Sequence, residues 1–119
     1  MKARAGLLAA LAAASAGAAE AQTFRRIDTE GRFAAIVVGR EIVSADGRER
    51  LFARRDGALE AEIAGERLAG SWAWIEDRVC RVIRPESGPA EAGCARASIA
   101  RGRLRLYWNE GGATEYLLR

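Results

Sequence analysis

Cys80 and Cys94 are the only two thiols in the chain, and their spacing decides which thiol chemistry is open to them. A redox pair sits close together, as in Cys-x-x-Cys, and a metal centre needs further ligands that a sequence without histidine does not offer. The spacing suits a structural disulfide between Cys80 and Cys94, closing a loop of about 15 residues and contributing about 3 kcal/mol in the chain-entropy description. Pro85, Ser87-Gly88-Pro89 and Gly93 lie between the two cysteines and oppose a regular element across that loop.

The remaining reactive residue types lack partners. Ser71, Ser87, Ser98 and Thr114 have no histidine to activate them, and the single lysine, Lys2, stands at the N-terminus, so neither a Ser-His-Asp nor a Ser/Lys nucleophile can be assembled. Glu76 and Asp77 are adjacent carboxylates, but on an extended chain their side chains diverge, and Arg78 and Arg81 are the neighbours expected to neutralise them. No Gly-x-Gly-x-x-Gly and no phosphate loop ending in Lys and Ser/Thr occurs. The reading is therefore no catalytic set, no metal and no cofactor.

Binding residues are easier to nominate. Trp72 and Trp74 lie two apart, which puts both on one face of a strand, and Trp108 ends a later apolar alternation. These three rings are the candidate ligand-binding residues, since indoles suit apolar guests while keeping one polar handle. The competing role is plain: large core residues in a domain otherwise rich in alanine.

The elements that must hold them read as strands. Arg40 to Ala45 leads into Asp46-Gly47, and Glu49 to Arg54 into Asp56-Gly57, two strong hairpin signals. Ala58 to Ala64, Arg67 to Glu76, Val79 to Arg84, Ala95 to Ala100, Arg103 to Asn109 and Thr114 to Leu118 complete eight short strands. Leu104, Leu106 and Trp108 alternate with Arg103, Arg105 and Tyr107, so one face is buried and the other wet. Before them, Asp28 or Thr29 can cap a short helix with Phe33, Ile36 and Val37 on its apolar side and Gly39 at its end, although the Val-rich tail suits a strand equally well. The expected fold is all-β: a small antiparallel meander closing as a lipocalin-like β-barrel of about eight short strands, preceded by a short helix. A two-layer β-sandwich is the alternative; the short hairpin connections favour the barrel.

The N-terminus carries an address. Met1, Lys2 and Arg4 are followed by the apolar run Gly6 to Ala14 and by Ala19-Glu20-Ala21, the pattern of a secretory signal peptide over residues 1–21 with cleavage before Gln22. The expected product is a single β-rich domain, residues 22–119, in the periplasm or secreted, with no stable membrane anchor after cleavage. Loss of Lys2, Arg4 and Glu20 takes the net charge from +3 to +2, and every remaining positive group is arginine. Arg25-Arg26, Arg54-Arg55 and Arg101 to Arg105 are the densest clusters, and acidic residues are interspersed among most of the rest, so no nucleic-acid partner is expected.

Phe33 with Val37-Val38-Gly39, Asp56-Gly57, the segment Gly70-Ser71-Trp72-Ala73-Trp74 running through Glu76-Asp77 to Cys80-Arg81, then Cys94 and Tyr116-Leu117-Leu118 together form a pattern over nearly all of residues 22–119. The pattern resembles a group of small exported β-domain proteins common in alphaproteobacteria. That resemblance implies a small exported β-domain and supplies no catalytic residues. Members of the group sometimes bear the name dihydrodipicolinate reductase, an enzyme whose nucleotide-binding glycine loop and histidine-bearing substrate site this sequence lacks.

The function expected is that of a non-enzymatic exported binding or interaction domain. One version takes a small apolar ligand around Trp72, Trp74 and Trp108; another is an inhibitor or partner of an envelope protein, using the loop from Pro85 to Gly93. A structural or stress-related envelope protein without a discrete ligand is the third.

Overall fold

The structure is a computed structural model that describes residues 23–119; the segment read as a signal peptide, residues 1–21, and its expected cleavage before Gln22 lie outside them. The chain begins with β1 (Arg25–Arg26) and α1 (Glu30–Val37). Eight strands follow: β2 (Glu41–Ser44), β3 (Glu49–Ala53), β4 (Ala58–Ile63), β5 (Glu66–Ile75), β6 (Arg78–Arg84), β7 (Glu91–Ala100), β8 (Arg103–Trp108) and β9 (Ala113–Leu118).

Each strand from β2 to β8 pairs antiparallel with the next, and β9 returns to pair with β2 through Ile42↔Leu118 and Ser44↔Tyr116. The ladder is thus unbroken, and the chain forms a closed eight-stranded up-and-down barrel with one extra strand. That closure settles the choice against a two-layer sandwich. A barrel of eight strands is just wide enough for side chains to fill its interior, and Leu51, Leu59, Val79, Ile83, Ala95, Ala97, Leu104 and Leu106 do so, all nearly inaccessible.

Turn chemistry sets the hairpins. Asp46 Oδ1 accepts the Arg48 backbone N–H at 3.0 Å and the Ser44 hydroxyl at 2.6 Å, while Gly47 takes φ 75°. At the next hairpin Asp56 accepts the Ala58 N–H at 2.9 Å and Gly57 takes φ 94°. These are positions where a side-chain acceptor and a left-handed residue are both required.

The segment before the barrel closes one end of it. Thr29 caps α1, its hydroxyl accepting the Arg32 N–H at 3.2 Å, and the helix reading holds over the strand alternative because Phe33 and Val37, four apart, both point into the barrel. The Phe33 ring meets Trp72 at 5.6 Å and Trp74 at 5.4 Å between centroids. Gly39, in the left-handed region, turns the chain out of the helix, and its N–H bonds to the Ala53 carbonyl at 3.0 Å.

Two elements differ from the sequence reading. β1 was not expected: Arg25 and Arg26 pair with Ile99 and Ser98, and the Ile27 N–H bonds to the Ala97 carbonyl at 2.9 Å. The β6 ladder leaves β7 at Ala95, so β1 occupies the edge that β7 would otherwise expose. The second difference is the start of β7, at Glu91 rather than Ala95. Cys94 is consequently a direct cross-strand partner of Cys80, with Cα atoms 4.0 Å apart, and their disulfide ties neighbouring strands rather than stapling an irregular loop. Gly93 is tolerated within the strand because the Trp108 ring lies over it, Cε3 and Cζ3 occupying the space beside its missing side chain.

Candidate functional site

The barrel is asymmetric along its axis, and strand alternation shows why. Glu49 is in phase with Leu51 and Ala53, Arg81 with Val79 and Ile83, and Tyr116 with Leu118, so all three polar side chains are carried onto the inner face. They meet away from the helix-sealed end. Arg81 Nη1 donates to Glu49 Oε1 at 3.0 Å and to the Tyr116 hydroxyl at 3.4 Å, and that hydroxyl donates to the same Glu49 oxygen at 3.1 Å.

The group is largely enclosed: the Arg81 and Glu49 side chains are 14% and 20% exposed, and Tyr116 is fully buried. Burial pushes the Tyr116 phenol above its usual value. Burial alone would lower the Arg81 guanidinium, but the facing Tyr116 and Glu49 outweigh it and hold the charged form. The guanidinium also lies 4.7 Å from the centre of the Trp108 ring, a cation–π contact, while the indole N–H donates to the Thr114 hydroxyl at 3.0 Å.

This network is a floor with empty space above and below it. Below lies an interior cavity of about 40 Å³, walled by Phe33, Trp72 and aliphatic side chains, with Arg81 and Tyr116 at its upper edge. Above is a cleft of about 310 Å³ among Trp108, Arg81, Glu49, Glu91, Glu110 and Thr114. A second lobe of about 300 Å³ continues past Ser44, Asp46 and Arg48 and shares Glu49, Glu91 and Thr114 with the first. Hydrogen bonds from Ser44 and the Arg48 backbone hold the Asp46 carboxyl below its usual value, so this rim stays charged. Such a surface can bind and orient polar groups against an indole wall.

The three nominated tryptophans separate. Trp72 and Trp74 come together through Phe33 at the sealed end, where the Trp72 ring N–H also donates to the Arg54 carbonyl at 2.7 Å. Trp108 stands at the open end, in a different cavity from Trp72. Arg81 does not neutralise the Glu76-Asp77 pair as expected: Asp77 pairs with Arg26 and Arg78, and Arg81 is committed to Glu49. The reason is again alternation, which sends Arg81 inward while the turn stays outside. Sequence reasoning missed Glu49 and Tyr116 as site residues, although each sits at a core-facing step of its strand. Among the described residues no cluster of three or more metal-ligand side chains occurs.

Comparison of the chain with protein-family models, with curated proteins and with solved structures finds no match.

Proposed function

We propose that this chain is an exported, non-catalytic binding domain whose partner or ligand is received at the open end of the barrel. The observation that carries the reading is the asymmetry of the two ends. One is filled by Phe33, Trp72 and Trp74, whereas the other stops at the Glu49–Arg81–Tyr116 floor beneath a two-lobed cleft.

A drug-sized ligand occupies a pocket of roughly 300–1,000 Å³. The open cleft falls in that range, and the interior cavity of about 40 Å³ does not. Carriage of an apolar molecule inside the barrel is therefore the weaker version of the binding reading. Glu49, the least exposed of the arginine-paired carboxylates among the described residues, is engaged by two protein donors through one oxygen, an arrangement that serves positioning better than proton transfer. The disulfide on neighbouring strands supports export, because such bonds persist in oxidising compartments.

The test is the native mass of the protein recovered from an exporting cell, measured beside Trp108→Ala. The expected species starts at Gln22, is two hydrogens lighter than the reduced chain, and carries an adduct or bound partner that Trp108→Ala loses. A bare chain, or an adduct kept by the variant, overturns the open-end reading; a full-length reduced chain overturns export.

A further inference from the structure

A second surface, on the outside of the barrel, points to a different contact. Arg96 on β7 and Arg103, Arg105 and Tyr107 on β8 share the outer face, with Arg101 in the intervening turn. Arg103 and Arg105 both pair with Glu115 on β9, at 3.0 and 2.9 Å, so a single carboxylate answers two guanidinium groups. Arg96 and Arg101 are exposed and form no ion pair among the described residues. The face thus keeps three positive charges without a counter-charge. The β7–β8 register sets Tyr107 opposite Arg96, Ser98 opposite Arg105 and Ala100 opposite Arg103, so β7 places no carboxylate across from these arginines.

Aromatic groups are interleaved with these arginines. Tyr107, 41% exposed, accepts a hydrogen bond from Arg105 Nη1 at 3.3 Å, and Arg105 lies 3.8 Å from the centre of the Phe24 ring. Arginine and tyrosine both present an apolar body with a polar tip, which suits a boundary between water and lipid. A flexible polyanion is gripped in a charged groove that tracks its backbone. Here Arg96, Arg103 and Arg105 stand on outward strand faces and Arg101 in the adjoining turn, an arrangement that matches an extended anionic surface instead.

We infer that the outer face of β7 to β9 docks reversibly onto a membrane surface rich in anionic phospholipid, through Arg96, Arg101, Arg103 and Arg105, with Tyr107 at the boundary. The contact is peripheral and electrostatic, and it weakens as salt rises. It is independent of the open-end reading, and Trp108→Ala leaves it unchanged.

The experiment is co-sedimentation of the exported protein with vesicles of phosphatidylglycerol mixed into phosphatidylcholine, against phosphatidylcholine alone. The triple variant Arg96→Gln, Arg101→Gln, Arg103→Gln is measured beside Arg50→Gln, Arg55→Gln, Arg67→Gln, which makes the same charge change elsewhere on the surface. Each arginine near an anionic surface is worth about fivefold in partitioning. The first triple should therefore bind roughly a hundredfold more weakly, with its thermal unfolding close to wild type, and the second should bind nearly as well as wild type. Equal binding to both vesicle types overturns the inference, as does equal loss in both triples. Binding to soluble dextran sulfate without binding to anionic vesicles also overturns it, because the face would then be reading a polymer.

Discussion

Gly70 on β5 lies so close to the Val82 carbonyl on β6 that a methyl group at Gly70 would overlap it. Backbone surrounds the position, with the Ile83 Cα 3.4 Å from the same point, so no flexible side chain can yield. Gly70→Ala should cost about 3 kcal/mol, at the upper end of overpacking penalties. Urea or thermal unfolding checks it, and a variant as stable as wild type would show that β5 and β6 can part without loss.

Phe33 is the side chain that seals the barrel. Phe33→Ala should destabilise by about 3–5 kcal/mol, and it should join the emptied space to the cavity that Phe33 and Trp72 already line. A fluorescent apolar dye should then bind the variant and not the wild type. If the variant unfolds, the milder Phe33→Leu serves, with a smaller loss and weaker dye binding.

Tyr116 gives the barrel an alkaline limit. Its phenol is held above the ordinary 10.0, chiefly by burial. Above that pH the unfolded chain gives up the proton while the folded chain keeps it, so the unfolded state binds fewer protons and stability falls as pH rises. Between pH 10 and the folded value the wild type should lose up to about 1.4 kcal/mol per pH unit more than Tyr116→Phe does. Parallel pH–stability curves for the two proteins would refute the assignment.

Removal of Arg81 tests the floor of the cleft. Arg81→Met leaves Glu49 partly enclosed without its cation, and the loss should be about 2–3 kcal/mol, below the fully buried range because water still reaches the pair. Arg81→Met combined with Glu49→Leu should regain much of that stability, since an apolar pair of similar volume replaces an ion pair at little net cost. The double variant should nevertheless lose whatever the open end binds.

The barrel was legible in the sequence because its turns and its alternation agree. Asp46-Gly47 and Asp56-Gly57 place two hairpins, and Leu104, Leu106 and Trp108 give the inner face of β8 directly. The polar floor follows the same alternation. Yet Arg81 between Val79 and Ile83 looks in one dimension like an edge charge, because its partners Glu49 and Tyr116 are 32 and 35 residues away. β1 was hidden for another reason: two residues are too few to show a period, and their pairing with Ile99 and Ser98 exists only once β7 is in place. Likewise Trp72 and Trp108 look equivalent in sequence, and only the helix at one end distinguishes them.

The pairing of β9 with β2 has a consequence for how the protein comes into being. Ile42 finds Leu118 only after the six intervening strands, β3 to β8, and β9 itself have emerged. Until then β2 offers an open edge and the inner face of a partial sheet stays wet, a state prone to aggregation and to capture by chaperones. Folding of this chain is therefore a late event in its synthesis, which keeps the polypeptide threadable for as long as the last strand is missing.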